Sequence, residues 1–89
     1  MGRIHRLKCE PVYFEAVASQ EKTFELRLND RGFQKGDILE LVKLDRLGLE
    51  TYDELRAEVT YVLSGPPWLT PGYVAMSIKL ISTGDALEN

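Results

Sequence analysis

Polar and apolar residues alternate over Ile4–Cys9, with His5, Leu7 and Cys9 on one side and Ile4, Arg6 and Lys8 on the other. That period of two predicts a first strand. The pattern then becomes helical. Pro11 suits a first helical turn, where its fixed φ and missing N–H cost nothing, and Phe14, Val17 and Ala18 follow at helical spacing with Tyr13 beside them. A short amphipathic helix to about Ser19 is expected. Thr23–Leu28 returns to period two, predicting a strand with Phe24, Leu26 and Leu28 facing the core and Thr23, Glu25 and Arg27 on the polar face. Turn clusters at Asn29–Gly32 and Gln34–Asp37 precede an apolar run, Ile38–Val42. Leu44–Asp53 shows neither period and reads as a polar connection around Gly48. Ala57–Leu63 is rich in β-branched and aromatic residues and predicts a strand. Ser64–Gly72 is a proline- and glycine-rich loop, Tyr73–Ile81 a final strand, and residues 83–89 a flexible tail.

The order is strand, helix, then four strands, which places the chain in the α+β class. The expectation is a small curled sheet or partial barrel covered by the helix. Eighty-nine residues supply one core, so residues 1–82 are read as one domain. No apolar run approaches the ~18 residues of a membrane span, and the first residues lack the apolar stretch of a secretory signal. A single cysteine, Cys9, excludes an intramolecular disulfide and suits a reducing, cytoplasmic setting. One cysteine and one histidine are too few for a zinc site of the usual Cys/His kind within one chain, and neither metal nor cofactor is expected.

Net charge is −3, which argues against a general polyanion binder, but the charge is unevenly spread. Residues 1–35 hold seven Lys/Arg against five Asp/Glu, giving +2, and the rest hold four against nine, giving −5. One basic face on an acidic protein is a footprint consistent with nucleic-acid binding. The acidic second half argues against tight, sequence-independent RNA binding, which depends on releasing many counterions.

Several segments resemble one family. His5-Arg6-Leu7-Lys8 and Pro11–Val17 are similar to the first strand and helix of small ASCH domains of the PUA-like superfamily. Ser19–Arg27 resembles their signature, Gly-x-Lys followed by x-x-Glu-x-Arg. Phe33-x-x-Gly36-Asp37-Ile38-Leu39 and Gly72–Ile78 resemble later strands. The resemblance implies a PUA-like fold, a small β-barrel-like mixed sheet with one early helix, and a role with RNA or nucleotides. It also implies an alternative, since some members are amidohydrolases that remove an acyl group from a modified cytidine. Those members use a lysine, a threonine three residues later and a distant glutamate. Here the lysine matches Lys22, but Glu25 occupies the threonine position, and Gln20-Glu21 replaces the signature glycine and its neighbour.

The candidate binding residues are Lys8, Lys22, Glu25 and Arg27. Arg27 and Lys22 could hold a phosphate, and Glu25 could accept base N–H groups. The bland alternative is an ordinary Glu25–Arg27 ion pair on a solvated sheet face. Trp68 and Tyr73 flank the last loop and could stack on bases of single-stranded RNA, although a tryptophan in such a loop also serves as a lid over the core. His5 reads as a structural histidine and Cys9 as a small buried apolar residue. If the protein is an enzyme, Lys22 is the reacting residue. A protein partner recognised through Pro66-Pro67-Trp68 is a third reading.

Overall fold

The computed structural model describes residues 2–82, so the expectation of a flexible tail at residues 83–89 lies outside the described residues. Strand β1 (Ile4–Cys9) leads into helix α1 (Pro11–Ala18), and β2 (Phe24–Leu28), β3 (Ile38–Leu44), β4 (Glu50–Ser64) and β5 (Tyr73–Ser82) follow. The five strands form one mixed sheet in the order β1-β3-β4-β5-β2. β1 and β3 are parallel, and every other pair is antiparallel. The parallel pair is possible because α1, β2 and the turns up to Asp37 provide a long crossover.

The inner face of the sheet carries the core. Leu39 and Leu41 of β3, Leu55 and Val59 of β4, and Val74 and Met76 of β5 are almost completely buried. On β1 the buried side is His5, Leu7 and Cys9, one of the two sides that alternation separated. Helix α1 presses Phe14 and Val17 into the same core. Its C-terminus turns at Gln20, whose φ of 66° is left-handed, while the Gln20 N–H donates to the Val17 carbonyl. Gln20 therefore sits where glycine is usual, at the residue just past the helix. His5 is buried and hydrogen-bonded. Its Nε2 lies 2.8 Å from Asp37 Oδ2 and its ring meets Phe33 edge-on.

Two expectations fail. Leu44–Asp53 is not a long polar connection. β3 runs to Leu44, Asp45–Leu49 makes a tight turn in which Asp45 Oδ1 accepts the N–H groups of Leu47 and Leu49, and β4 begins at Glu50. The first residues of β4 are mostly solvent-facing and its ladder with β3 is interrupted between Val42 and Leu44, which removes the period-two signal.

The second failure is the facing of β2. Phe24, Leu26 and Leu28 are about half exposed, whereas Glu25 is 3% exposed. Register gives the reason, because Glu25 lies opposite Met76 and Arg27 opposite Val74, both core residues, while Leu26 lies opposite Ala75. The charged side of β2 is its inner side.

The ends of the strand order approach each other. The Arg27 Nη2 group donates to the Lys8 carbonyl at 3.0 Å, and Arg31 Nη1 donates to the Arg6 carbonyl at 3.1 Å. The outward carbonyls of edge strand β1 are thus capped by guanidinium groups from β2 and the segment after it. The sheet is a half-barrel whose open side is bridged by side chains instead of a backbone ladder.

Candidate functional site

That open side holds a cavity of about 430 Å³, lined by the end of β1 (Lys8, Cys9), the start of α1 (Glu10, Tyr13), and Lys22–Arg27 without Thr23. Glu25 is its centre. Oε2 accepts from Lys22 Nζ at 2.8 Å and Oε1 from Arg27 Nε at 2.9 Å, so both oxygens of a buried carboxylate are satisfied by cations. A buried charge left unpaired would be costly, which explains why Glu25 can replace an apolar side chain on the inner face.

Lys22 reaches the cavity because the left-handed turn at Gln20 sends the chain from α1 back toward β2. Its Nζ also donates to the Phe24 carbonyl at 2.7 Å and lies 4.8 Å from the Phe24 ring centre and 5.7 Å from that of Tyr13. Both rings are within cation–π range. Arg27 spans the gap, joining Glu25 through Nε and the Lys8 carbonyl through Nη2. The charged side chains of the wall are Lys8, Lys22 and Arg27 against Glu10 and Glu25, three against two, leaving +1. Lys8 is exposed and has no ion-pair partner among the described residues. Burial, followed by the nearby Glu25 carboxylate, pushes the Cys9 thiol up to about 11, so it is neutral at pH 7 and contributes a small apolar surface to the floor.

Of the residues singled out from sequence, Lys8, Lys22, Glu25 and Arg27 stand together in this wall. Trp68 and Tyr73 stand outside it. Trp68 is 76% exposed, so it is not a lid over the core, and Tyr73 lies opposite Leu28 at the far end of the β2–β5 ladder. Two aromatic wall residues went unnoticed as site residues. Tyr13 is half exposed on α1, and its place just off the Phe14–Val17–Ala18 stripe was the available signal. Phe24 was assigned to the core by alternation, and no local signal corrects that.

Among the described residues no three His, Cys, Asp or Glu side chains come together as a metal-ligand set. No described helix is long and apolar enough to cross a membrane.

Comparison with known proteins places this geometry in a family. The chain is similar to an uncharacterised 12.9 kDa protein in the GpA 3′ region of Escherichia phage P2, 33% identical over 69 residues. The matched segment is 78% of this chain and 62% of the phage protein, so the chain spans less than two thirds of that relative's length. The family model described as domain of unknown function (DUF3850) matches residues 4–78, from the start of β1 into β5, a stretch that contains every wall residue of the cavity. The chain belongs to the DUF3850 family.

Proposed function

We propose that this half-barrel is an ASCH-type, PUA-like module and that its cavity binds a nucleotide or a short piece of single-stranded RNA. The observation that carries the reading is the composition of one wall. Aromatic faces (Tyr13, Phe24), a carboxylate fixed by two cations (Glu25) and a lysine with no ion-pair partner among the described residues (Lys8) surround about 430 Å³. That volume is in the range of small-ligand sites. Base stacking on aromatics is worth about 1–3 kcal/mol per base, and Lys8 with the outer edge of Arg27 can meet a phosphate. Stacking falls to Tyr13 and Phe24 in this reading, since Trp68 and Tyr73 lie outside the wall.

Binding is preferred over amide hydrolysis because of what Lys22 does. Its Nζ donates to Glu25 and to the Phe24 carbonyl, and Glu25 stands where the hydrolases carry threonine. A lysine so engaged positions a carboxylate.

The test is a ligand-observed NMR screen of nucleosides, nucleoside 5′-monophosphates and short single-stranded RNAs against wild type, Lys8→Ala and Tyr13→Ala. These two side chains are exposed and, among the described residues, take part in no ion pair or side-chain hydrogen bond that would confuse binding with folding. Wild type is expected to bind, and each variant to weaken binding about fivefold or more, as loss of a ~1–3 kcal/mol contact implies, with an unchanged thermal midpoint. Silence across the panel would sink the cleft reading. The exposed Trp68 in the Pro66–Pro67–Trp68 loop would then become the surface to test for a protein contact.

A further inference from the structure

Beside the first cavity lies a second, of about 410 Å³, lined by Arg6, Leu7, Lys8, Arg27, Arg31, Val42 and Glu50. Lys8 and Arg27 belong to both walls. The Arg27–Lys8 hydrogen bond is therefore a saddle between two neighbouring cavities of nearly equal size.

Their chemistry differs. The second wall contains no aromatic residue, and four cations face one carboxylate, +3 against +1 in the first. Not all of that charge is available. Arg6 is held by Glu40, Glu50 and Glu54 at 2.9, 3.2 and 3.6 Å. Arg31 is partly exposed, and its one carboxylate contact among the described residues is Asp30 at 3.8 Å. Lys8 is exposed and unpaired among the described residues. The usable cations are Lys8 and Arg31, with Arg27 between the two spaces. An aromatic cavity with an acceptor suits a base, and an adjoining one with unspent cations and no ring suits phosphate.

We propose that the ligand is a single-stranded oligonucleotide whose phosphodiester backbone crosses the Lys8–Arg27 saddle and sets its next phosphate against Arg31. This inference rests on the cleft reading above and deepens it. The shared chemistry is a chain of linked phosphates, which a nucleoside triphosphate also carries. The size of the second cavity favours the oligonucleotide, because it has room for a further sugar as well as a phosphate.

The experiment compares affinities of uridine 5′-monophosphate, UTP and the single-stranded tetranucleotide UUUU, with the adenine counterparts in parallel, at several salt concentrations. The tetranucleotide is expected to bind at least tenfold more tightly than the monophosphate. Its log affinity should fall with log salt with a slope steeper by about 0.7 for each added phosphate contact on a single strand. Arg31→Ala should abolish that gain and the extra slope, leave monophosphate binding unchanged, and be rescued in part by Arg31→Lys. Because Arg31 also caps the Arg6 carbonyl, a thermal midpoint for each variant separates loss of contact from loss of fold. Equal affinity for monophosphate and tetranucleotide overturns the inference and leaves the cleft reading standing. UTP matching the tetranucleotide, with the same dependence on Arg31, overturns it in favour of a phosphoanhydride chain. No binding by any probe overturns both.

Discussion

Gln20 shows how a single residue directs the chain into the site. Its left-handed φ of 66° turns the end of α1 so that Lys22 can reach Glu25. An L-residue in that region costs roughly 1–2 kcal/mol, and glycine removes that cost while losing about 0.5–1 kcal/mol more chain entropy on folding. Gln20→Gly is therefore expected to stabilise the protein by about 0.5–1 kcal/mol, raising the melting temperature by about 4 °C for a domain of this size. Circular dichroism melting checks this, and a fall in midpoint would show that the Gln20 side chain holds the turn in a way its backbone angle does not reveal. The position was visible in the sequence as the site where ASCH-like signatures have glycine. Its conformation was not, because glutamine alone gives no sign of a positive φ. Cys9 presents the opposite case, since its alternation with Leu7 on β1 already indicated a buried thiol.

At the scale of the element, β2 has the clearest period of two in the first half of the chain, and alternation assigned its faces the wrong way round. Alternation reports that two faces differ in polarity, and the assignment of the apolar face to the core is a separate assumption. Here an ion-paired Glu25 occupies the inner face, and Phe24, Leu26 and Leu28 remain on the outer one. The consequence is measurable. Leu26→Ser should change stability by less than about 0.5 kcal/mol, as at ordinary surface positions. Leu39→Ala, at a fully buried position of β3, should cost about 2–5 kcal/mol. Urea denaturation of the two variants decides, and a large loss at Leu26 would mean that the outer face of β2 is covered in solution. β1, α1 and β5 were legible because each keeps one apolar set at its own period on the core side: Leu7 and Cys9, Phe14 and Val17, and Val74, Met76 and Ile78. The first part of β4 was not, since solvent-facing residues and an interrupted ladder erase its period.

For the whole molecule, the decisive feature is an open sheet bridged across its gap. Arg27 uses separate nitrogens for Glu25 and for the Lys8 carbonyl, so one side chain neutralises the buried carboxylate and ties β2 to β1. Arg27→Ala is expected to cost about 1–3 kcal/mol, because a buried acceptor loses one of its charged donors while Lys22 remains. Arg27→Lys should recover little of this, since an ammonium cannot reproduce the two-pronged geometry. Chemical denaturation of both variants tests the role, and wild-type stability in Arg27→Lys would remove it. By itself the sequence determined the class of fold, most of the strands, the early helix and the group Lys8, Lys22, Glu25 and Arg27. Local periodicity and residue chemistry act over a few positions and survive in any fold that uses them. Tertiary structure alone decided that Glu25 points inward, that Tyr13 and Phe24 wall the cavity while Trp68 and Tyr73 do not, and that β1 and β2 meet across a gap. Those outcomes depend on strand order and register, which bring residues far apart in the chain into contact, and no short-range pattern encodes which strands become the edges.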